Sequence, residues 1–317
     1  MPGHVRDSLK EIDENSWLID NKLLLQRLAS AQDYMWKDSN GWHFTVSDAP
    51  SPLPETKPLS PDSPLKLVYD VGDASVVFDL GDAFLKVKKR HEFRDITPEP
   101  VTLRWLADRK LSFPVPKALY YTEDNDRIYF IVSRVRGKSI DEAWREMDGE
   151  QKQQCVSRVA EICQELSAWT SDAITGVDRA RVFEPWLDMF ANPIDISPEN
   201  LLRNCVHLQM DVSTFIFNHN DLGPTNVMVD LENGCDIAII DWEMAGYVPS
   251  AWVRTKLAGC GAMDFCWRGV DPDDSSMREW RERVAKQLEN HEFPEVLEAY
   301  TRWVNGRKNQ LKMAGFM

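Results

Sequence analysis

Hydrophobic and polar positions divide the chain into segments of different period. Residues 8 to about 40 carry apolar side chains at the spacing of an amphipathic helix, which predicts a helical start. These side chains are Trp17, Leu18, Leu23, Leu24, Leu25 and Leu28. The next segment, residues 47–64, reads "SDAPSPLPETKPLSPDSP" and contains six prolines. Proline is excluded from helix interiors and central strands, so this segment is predicted to be a linker or a strap wrapped over a surface.

Short strand-like runs follow the prolines. Residues 65–71, 75–80 and 83–89 are separated by Gly72-Asp73-Ala74 and by Gly81-Asp82, which predicts an antiparallel meander. One helix is predicted over 97–111, with Thr97 as its N-cap and Pro98 in its first turn. The runs "KALYYTE" and "RIYFIVSRV" predict two more strands on either side of the turn-like "DNDR".

From about residue 139 the pattern is helical, notably in "SIDEAWREM" and "EQKQQCVSRVAEICQELSAW". The exception is "NVMVDLENGCDIAIIDWE", where two alternating apolar runs meet at Asn233-Gly234. Asn-Gly between alternating runs is typical of a type I′ hairpin. A small strand-rich part is therefore expected to precede a large helix-rich part with one β insertion.

The length and net charge of the chain exclude some classes of protein. A chain of 317 residues with 43% hydrophobic residues and a net charge of -14 predicts a globular, acidic protein with one large two-part fold or two domains. The acidic balance argues against nucleic acid as a partner and favours cationic small molecules. No segment approaches the roughly 20 apolar residues that span a bilayer, and the start lacks a signal-peptide core. We expect a cytoplasmic protein without membrane association; the sequence does not indicate an oligomeric state.

The six cysteines lie far apart, with no CxxC pair and no histidine at zinc-ligand spacing. They are interpreted as reduced thiols. Cys155 and Cys163 share one helical stripe with Val159, Ile162 and Leu166, so a place in the core is favoured over a redox role.

Polar chemistry concentrates in "FNHNDLGPTNVMVD", residues 217–230. His219, Asp221 and Asn226 lie just before the first strand of the predicted hairpin, and Asp241 lies just after the second. All four are therefore expected at one edge of the sheet. Two carboxylates and an amide oxygen are hard ligands that suit Mg²⁺ together with water and substrate phosphates. A carboxylate that accepts a hydroxyl proton beside such a metal is the minimum that phosphoryl transfer requires. Turn formation alone is the alternative reading, since Asn, Asp, Gly and Pro all favour turns.

The pattern His-x-Asp-x4-Asn, followed by an apolar hairpin and "IDW", resembles the catalytic segment of the aminoglycoside phosphotransferase and choline kinase-like branch of the protein kinase-like superfamily. "HNDLGPTN" and "IIDWEMAGYVP" resemble fungal members in particular. The resemblance covers roughly residues 65–255. It implies an α+β, two-lobed protein kinase-like fold: an antiparallel-sheet N-lobe at 65–136 and a larger, mainly helical C-lobe at 137–317. Residues 1–64 would precede it as a helical extension and Pro-rich strap.

The resemblance also implies roles for the hairpin residues in an ATP- and Mg²⁺-dependent kinase. Asp221 would be the catalytic base that orients and deprotonates the acceptor hydroxyl. Asn226 and Asp241 would hold the magnesium ions. His219 would fix the loop through hydrogen bonds rather than carry protons.

On the nucleotide side, the resemblance implies a lysine on the third strand that contacts the α and β phosphates, and Lys86 stands there. Glu99 stands where the family has the glutamate that holds this lysine. Lys88 lies on the same strand face, so strand register alone does not decide, whereas the "LKV" pattern favours Lys86. A solvated basic edge is the alternative for Lys86.

Two further nucleotide contacts are implied. The turn that contains Gly72 and Ser75 would cover the phosphates with backbone N–H groups, although it is poor in glycine and an ordinary hairpin turn explains it equally well. Backbone groups of Ser133 and Val135, at the end of the last strand, would bind adenine.

Two departures from protein kinases favour a small-molecule hydroxyl acceptor. Gly223 replaces the lysine that Ser/Thr kinases carry two places after the catalytic Asp, and "DWEMAGYVPSAW" leaves no room for a long activation segment.

Acidic residues after position 260 suit either a bound cation or a solvated loop, and the loop is favoured. Other functions stay open: a non-catalytic nucleotide- or partner-binding protein, or an enzyme whose phosphorylation step drives elimination or cyclisation.

Overall fold

The computed structural model describes residues 4–90, 92–93, 95–124, 126–271 and 273–315. The chain divides into two compact units, one of Met1–Arg94 with Pro116–Arg134 and one of Asp95–Val115 with Val135–Met317. The first is built of antiparallel sheets and the second is mainly helical. The predicted α+β class, with a strand-rich first part and a helix-rich second part, is confirmed.

The first unit contains two antiparallel sheets. Their strands are β1 (Leu9–Asp13), β2 (Ser16–Ile19), β3 (Leu23–Leu28), β4 (Trp36–Lys37), β5 (His43–Asp48), β6 (Lys57–Pro58), β7 (Lys66–Val71), β8 (Ser75–Asp79), β9 (Ala83–Lys89), β10 (Ala118–Asp124) and β11 (Arg127–Ser133). The six-stranded sheet has the order β4-β5-β3-β2-β1-β6, and the five-stranded sheet has the order β10-β11-β9-β8-β7. The predicted meander of β7, β8 and β9 and both later strands are confirmed.

The helix predicted over residues 8 to about 40 is wrong, because this segment forms β1 to β4. The apolar residues fit a helical period only when the turn residues between them are disregarded. Asp20 and Asn21 adopt positive φ values of 48° and 57° and reverse the chain between β2 and β3. Asp and Asn tolerate this left-handed conformation, which makes them hairpin formers.

The Pro-rich segment is anchored along the edge of the first sheet. Lys57–Pro58 pairs with β1, and Glu11 of β1 accepts a hydrogen bond from Ser60 N–H at 3.1 Å. Lys57 forms an ion pair with the same carboxylate at 3.1 Å. The segment therefore borders the sheet as a short edge strand, where proline is tolerated.

The two sheets of the first unit share one hydrophobic core. Trp17 and Leu25 of the first sheet belong to the same buried cluster as Phe78, Leu85 and Val87 of the second. Residues on both sides of position 64 thus lie in one compact unit. The boundary drawn after residue 64 stays an expectation from sequence, but the segment before it is packed as part of a common core.

The second unit contains seven α-helices and six strands within its described residues. They are α1 (Glu99–Ala107), β12 (Lys138–Ser139), α2 (Ile140–Ala143), α3 (Gly149–Leu166), β13 (Thr170–Ser171), α4 (Pro198–His207), β14 (Phe215–Asn218), β15 (Val227–Asp230), β16 (Asp236–Ile239), β17 (Gly246–Pro249), α5 (Ser250–Gly259), α6 (Glu279–Asn290) and α7 (Leu297–Met313). The strands form two small antiparallel sheets, β12-β15-β16 and β13-β14-β17. None of the described helices is long and apolar enough to cross a membrane.

Helix boundaries follow local capping. Asp148 caps α3 in a reciprocal capping box, and the predicted buried stripe with Cys155 and Cys163 is confirmed. Burial raises the pKa of both thiols to about 12, which keeps them protonated and unreactive. The N-cap of α1 is Pro98 and not Thr97, whose hydroxyl instead bonds to Asp178. The helix predicted over "SIDEAWREM" is only the four-residue α2.

The predicted hairpin is present, as β15 and β16, but its turn is not type I′. A 3-10 turn, Leu231–Asn233, is followed by Gly234 and Cys235 at positive φ values of 73° and 63°. The Asp230 carboxylate accepts the Glu232 N–H at 3.2 Å and stabilises this longer connection. An aspartate that caps the first turn offers the backbone a partner that an Asn-Gly pair alone does not.

Candidate active site

His219 is fully buried at the end of β14 and is hydrogen-bonded through both ring nitrogens. Nδ1 accepts the Asp221 N–H at 3.1 Å, and Nε2 lies 2.9 Å from the Ile240 carbonyl oxygen. Because Nδ1 accepts, the proton belongs on Nε2, which donates to Ile240. Burial lowers the pKa of His219, so the ring is neutral in this environment. The side chain thereby ties the loop that carries Asp221 to the residue before Asp241.

Asn226 holds the Asp221 carboxylate. Its amide nitrogen donates to the Asp221 carbonyl at 2.9 Å and to Asp221 Oδ2 at 2.8 Å. Its backbone carbonyl accepts the Ile240 N–H at 3.0 Å. Both amide protons point to Asp221, so Oδ1 of Asn226 is turned to the other side. This orientation suits a hard metal ligand, since a metal requires the amide oxygen and not the nitrogen.

Asp241 adopts a left-handed backbone conformation with φ 63° at the end of the hairpin. Asn220, directly before Asp221, has φ 64°. Left-handed non-glycine residues cost about 1–3 kcal/mol each and concentrate at functional sites. The hairpin and the His219 and Asn226 hydrogen bonds thus bring Asp221, Asn226 and Asp241 together at one sheet edge, as the sequence predicts.

A magnesium site here would be completed by the substrate. Within the described part of the chain, no group of three or more His, Cys, Asp or Glu side chains is placed to hold a metal ion. Asn226 and Asp241 supply one amide oxygen and one carboxylate, which fits Mg²⁺ because that ion retains waters and takes phosphate oxygens as its other ligands. The donor set does not fit a closed protein cage such as a structural zinc site.

Glu99 begins α1 and is buried. Its Oε1 accepts the N–H of Trp242, the residue directly after Asp241, at 3.3 Å. Trp242 in turn donates from its ring to the Ile239 carbonyl at 3.0 Å. The structure therefore places Glu99 against the residue that follows the second candidate metal ligand.

Lys86 lies in the middle of β9, paired with Val77 on one side and Phe130 on the other. It alternates with the buried Leu85 and Val87, so its side chain leaves the sheet on the face opposite the shared core. Lys88 leaves on the same face, as the strand period predicts.

The turn between β7 and β8 contains Gly72 at φ 56°, and Ser75 begins β8 opposite Lys88. Asp73 in this turn is bonded to Lys89 and accepts the Val5 N–H at 3.2 Å. These contacts, Lys89 first, lower the pKa of Asp73 to about 2. The sequence did not single out Asp73 and Lys89, whose pairing appears only once β8 and β9 are in register.

Ser133 ends β11. Its N–H donates to the Lys117 carbonyl at 2.9 Å, and its hydroxyl accepts the Lys117 N–H at 2.8 Å. Of the Ser133 backbone, only the carbonyl can then serve an adenine. Val135 follows in the second unit.

The acidic residues after position 260 are engaged locally. Asp264 is paired with Arg281, Asp271 accepts the Asp273 N–H at 2.9 Å, and Asp274 accepts the Ser276 N–H at 2.8 Å. Asp271, Asp273 and Asp274 are exposed, as the solvated-loop interpretation predicts, whereas Asp264 is half-buried beside Arg281. The aromatic rings of Phe265 and Trp267 stack in the same segment, with centroids 4.1 Å apart.

Sequence reasoning missed a buried ion pair behind the loop. Lys256 contacts both carboxylate oxygens of Glu184, at 2.8 and 3.1 Å. Asn218 and Asn220, on either side of His219, are buried as well. The two residues are 72 positions apart in sequence and belong to no recognisable motif, so no sequence signal could have found their contact.

The loop and the hairpin thus carry the residues that the sequence singles out as candidate catalytic and metal-binding groups. The family model of the phosphotransferase enzyme family matches residues 68–252, more than half of the chain. The chain belongs to this family.

Among solved structures, aminoglycoside phosphotransferase APH(3'')-Id from Streptomyces rimosus is 17% identical, with a TM-score of 0.49, over 76% of this chain and 91% of that one. The gentamicin complex of APH(2")-IIa is 18% identical, with a TM-score of 0.47, over 76% and 80% of the two chains. The type VIII aminoglycoside-3'-phosphotransferase is 18% identical, with a TM-score of 0.43, over 74% and 93%. A search of curated proteins found no significant match.

Proposed function

We propose that this protein transfers the γ-phosphoryl group of ATP to a hydroxyl group of a small molecule, with Mg²⁺ as cofactor. The observation that carries the proposal is the arrangement of Asp221, Asn226 and Asp241. Asn226 donates to the Asp221 carboxylate at 2.8 Å, and its backbone carbonyl accepts the N–H of Ile240, the residue before Asp241. Membership of the phosphotransferase enzyme family supports the reaction class.

Each residue has a part in the transfer. The acceptor oxygen forms a bond to the γ-phosphorus while the bond from that phosphorus to the leaving ADP oxygen breaks, and the acceptor proton goes to Asp221. Asn226 and Asp241 would hold Mg²⁺, which would neutralise charge at the phosphates when bound. His219 does not exchange protons with substrate in this scheme, because both ring nitrogens are already engaged.

The nucleotide contacts follow the family resemblance. Lys86 would bind the α and β phosphates, with Glu99 as its partner, and the turn with Gly72 and Ser75 would cover them. The Ser133 carbonyl and the Val135 N–H would bind adenine. In the turn, the Lys89 contact offsets the charge of Asp73, which would otherwise oppose phosphate binding.

The acceptor is proposed to be a small molecule. After Asp241 the chain passes through a 3-10 turn and β17 directly into α5, so no long segment is available to bind a peptide. A net charge of -14 favours a cationic acceptor by long-range attraction. A fungal metabolic or biosynthetic reaction is the setting that the resembling segments suggest.

Transfer assays with ATP and Mg²⁺ test the proposal. A panel of cationic amino alcohols and neutral alcohols is incubated with the protein, and phosphorylated products are detected by mass spectrometry. We expect a phosphorylated cationic compound. ATP binding without any transfer would favour the non-catalytic alternative, and a dehydrated or cyclised product with released phosphate would favour the coupled reaction.

Asn226→Leu tests the metal assignment, with Asn233→Leu as the matched control at the far end of the same hairpin. Asn233 donates to Asp230 at 2.6 Å and has no part in the proposed site. We expect the Mg²⁺ concentration needed for half-maximal rate to rise at least about tenfold in the first variant only, as for lost metal-site partners. An unchanged Mg²⁺ dependence in both variants would contradict the assignment.

A further inference from the structure

A fully buried ion pair lies in the second unit, between Lys256 on α5 and Glu184. Their exposed fractions are 3% and 0%, and both carboxylate oxygens contact the ammonium group. Removing two charges from water costs several kcal/mol per ion, and apolar residues of similar volume are often at least as stabilising. Stability alone therefore gives a weak reason for this pair.

The ion pair interacts electrostatically with charged and titratable groups of the loop around Asp221. Burial raises the pKa of Glu184, Lys256 opposes that effect, and the charge of Asp221 adds to it. Lys256 also adds to the lowering of the His219 pKa that burial causes. The ion pair thus lies within electrostatic range of both residues.

A small cavity is lined by residues of α5 and of the loop around Asp221. Its volume is about 10 Å³, and its lining includes Asn218, Asn220, Leu222, Trp252 and Lys256, all of them buried. This volume is about the least that admits one water molecule, which also needs two to four polar partners.

Residues that line this cavity carry polar atoms with unused hydrogen-bonding capacity. Asn218 Oδ1 and Trp252 Nε1 are buried, and neither has a hydrogen-bond partner among the described residues. The Trp252 ring N–H is near enough to Glu184 to lower the pKa of that carboxyl, but without hydrogen-bond geometry. Lys256 has three N–H donors, and Glu184 takes two of them.

Asn218 connects the cavity to the residue before Asp221. Its amide nitrogen donates to Asn220 Oδ1 at 3.0 Å, and Asn220 donates to the Met244 carbonyl at 3.1 Å. These two hydrogen bonds hold Asn220, the residue before Asp221, in its left-handed conformation. The Asn218 side chain therefore transmits any shift at the cavity to the candidate base.

We propose that the Glu184–Lys256 ion pair is a positioning element for Asp221, acting through one buried water that bridges Lys256 Nζ and Asn218 Oδ1. The assignment rests on the proposed phosphotransfer for its effect on rate. It predicts a water in this cavity whether or not the acceptor is known. Neither Glu184 nor Lys256 touches the reacting atoms in this scheme.

The informative variant is the double substitution Glu184→Gln with Lys256→Met, which removes both charges and nearly keeps side-chain volume. It avoids leaving one buried charge unpaired, the main reason why single variants fail to fold. Lys256→Arg keeps the ion pair and serves as the conservative rescue. The control is Arg127→Met in the first unit, which breaks the ion pair of the buried Arg127 with the half-buried Asp20 at 2.6 Å.

Two measurements are made on each variant: hydrogen exchange of the peptide spanning residues 217–226, and transfer kinetics with ATP and an identified acceptor. In the double variant we expect faster exchange in this peptide and a kcat lower by about 10- to 100-fold, as for a small misplacement of a catalytic group. The KM for ATP is expected to stay within about twofold. Lys256→Arg should recover most of the kcat, and Arg127→Met should change neither quantity.

Unchanged exchange in residues 217–226 of a folded double variant would overturn the proposal, as would faster exchange with a wild-type kcat. A high-resolution crystal structure with an empty cavity would overturn it too. If wild-type protein transfers no phosphate although the water is present and exchange rises in the double variant, the proposed function fails and the structural assignment stands.

Discussion

His219 and Asn226 hold an irregular loop to a neighbouring chain segment by hydrogen bonds, His219 through its ring and Asn226 through its backbone carbonyl. Ile240 receives a bond from His219 at its carbonyl and gives its N–H to Asn226. These two bonds fix the loop against the end of β16. A few polar residues thus fix the backbone conformation of this loop. Asn220 before Asp221 and Asp241 after the hairpin are both left-handed.

Neutrality of His219 leads to a pH prediction. Burial lowers the pKa of the folded-state ring below the ordinary value of 6.5, so between these two values the unfolded chain binds a proton that the folded chain does not. Stability should therefore fall as the pH drops below 6.5. Thermal unfolding measured across this range is expected to show a steeper loss for wild type than for His219→Gln.

NMR provides the direct check on the same residue. The His219 ring should keep its proton on Nε2 while the pH falls through 6.5. A His219 resonance that titrates at its ordinary value would contradict the hydrogen-bonding scheme.

The hairpin of β15 and β16 is the element that brings the two halves of the site together. Its existence and its two polar ends could be predicted from alternating apolar residues, because a two-residue period is a local property. The turn type could not. Asp230 caps a 3-10 turn through contacts that an Asn-Gly signal does not contain.

A glycine beside β15 supports this element. A Cβ on Gly137 would lie 2.3 Å from the Val229 carbonyl oxygen, at φ 102°. Gly137→Ala must therefore displace β15 and with it Asn226. The matched control is Gly41→Ala, which has φ 88° but open space around the Cβ position.

We expect Gly137→Ala to lower the free energy of unfolding by about 1–3 kcal/mol more than Gly41→Ala does, the usual cost of overpacking. Chemical denaturation measures this difference. Equal losses in both variants would show that backbone strain, and not contact with β15, sets the cost.

In the fold as a whole, the N-terminal sheet shares its core with β9, which carries Lys86, and with β8, which follows the turn at Gly72. The sequence predicted a helical extension here because Leu and Trp residues at mixed spacing fit more than one period. Which period applies is decided by the pairing of β1, β2 and β3 with one another, and that pairing is not a local property of the sequence.

Removal of residues 1–64 tests this shared core. The deletion would expose Phe78, Leu85 and Val87, which are at most 1% accessible in the intact chain. We expect the truncated protein to aggregate or to melt far below the full chain, as followed by size-exclusion chromatography and thermal unfolding. A soluble truncated protein with the full chain's melting temperature would show that the first sheet is a dispensable extension.

Asp221 is proposed to accept the proton of an acceptor hydroxyl during phosphoryl transfer. The most direct measurement compares wild type with Asp221→Asn for ATP binding and for phosphate transfer to an identified acceptor. We expect ATP binding within a few fold of wild type and transfer slower by about 10²- to 10⁴-fold, the usual loss on removing a general base. Transfer at the wild-type rate in Asp221→Asn would show that Asp221 is not the base.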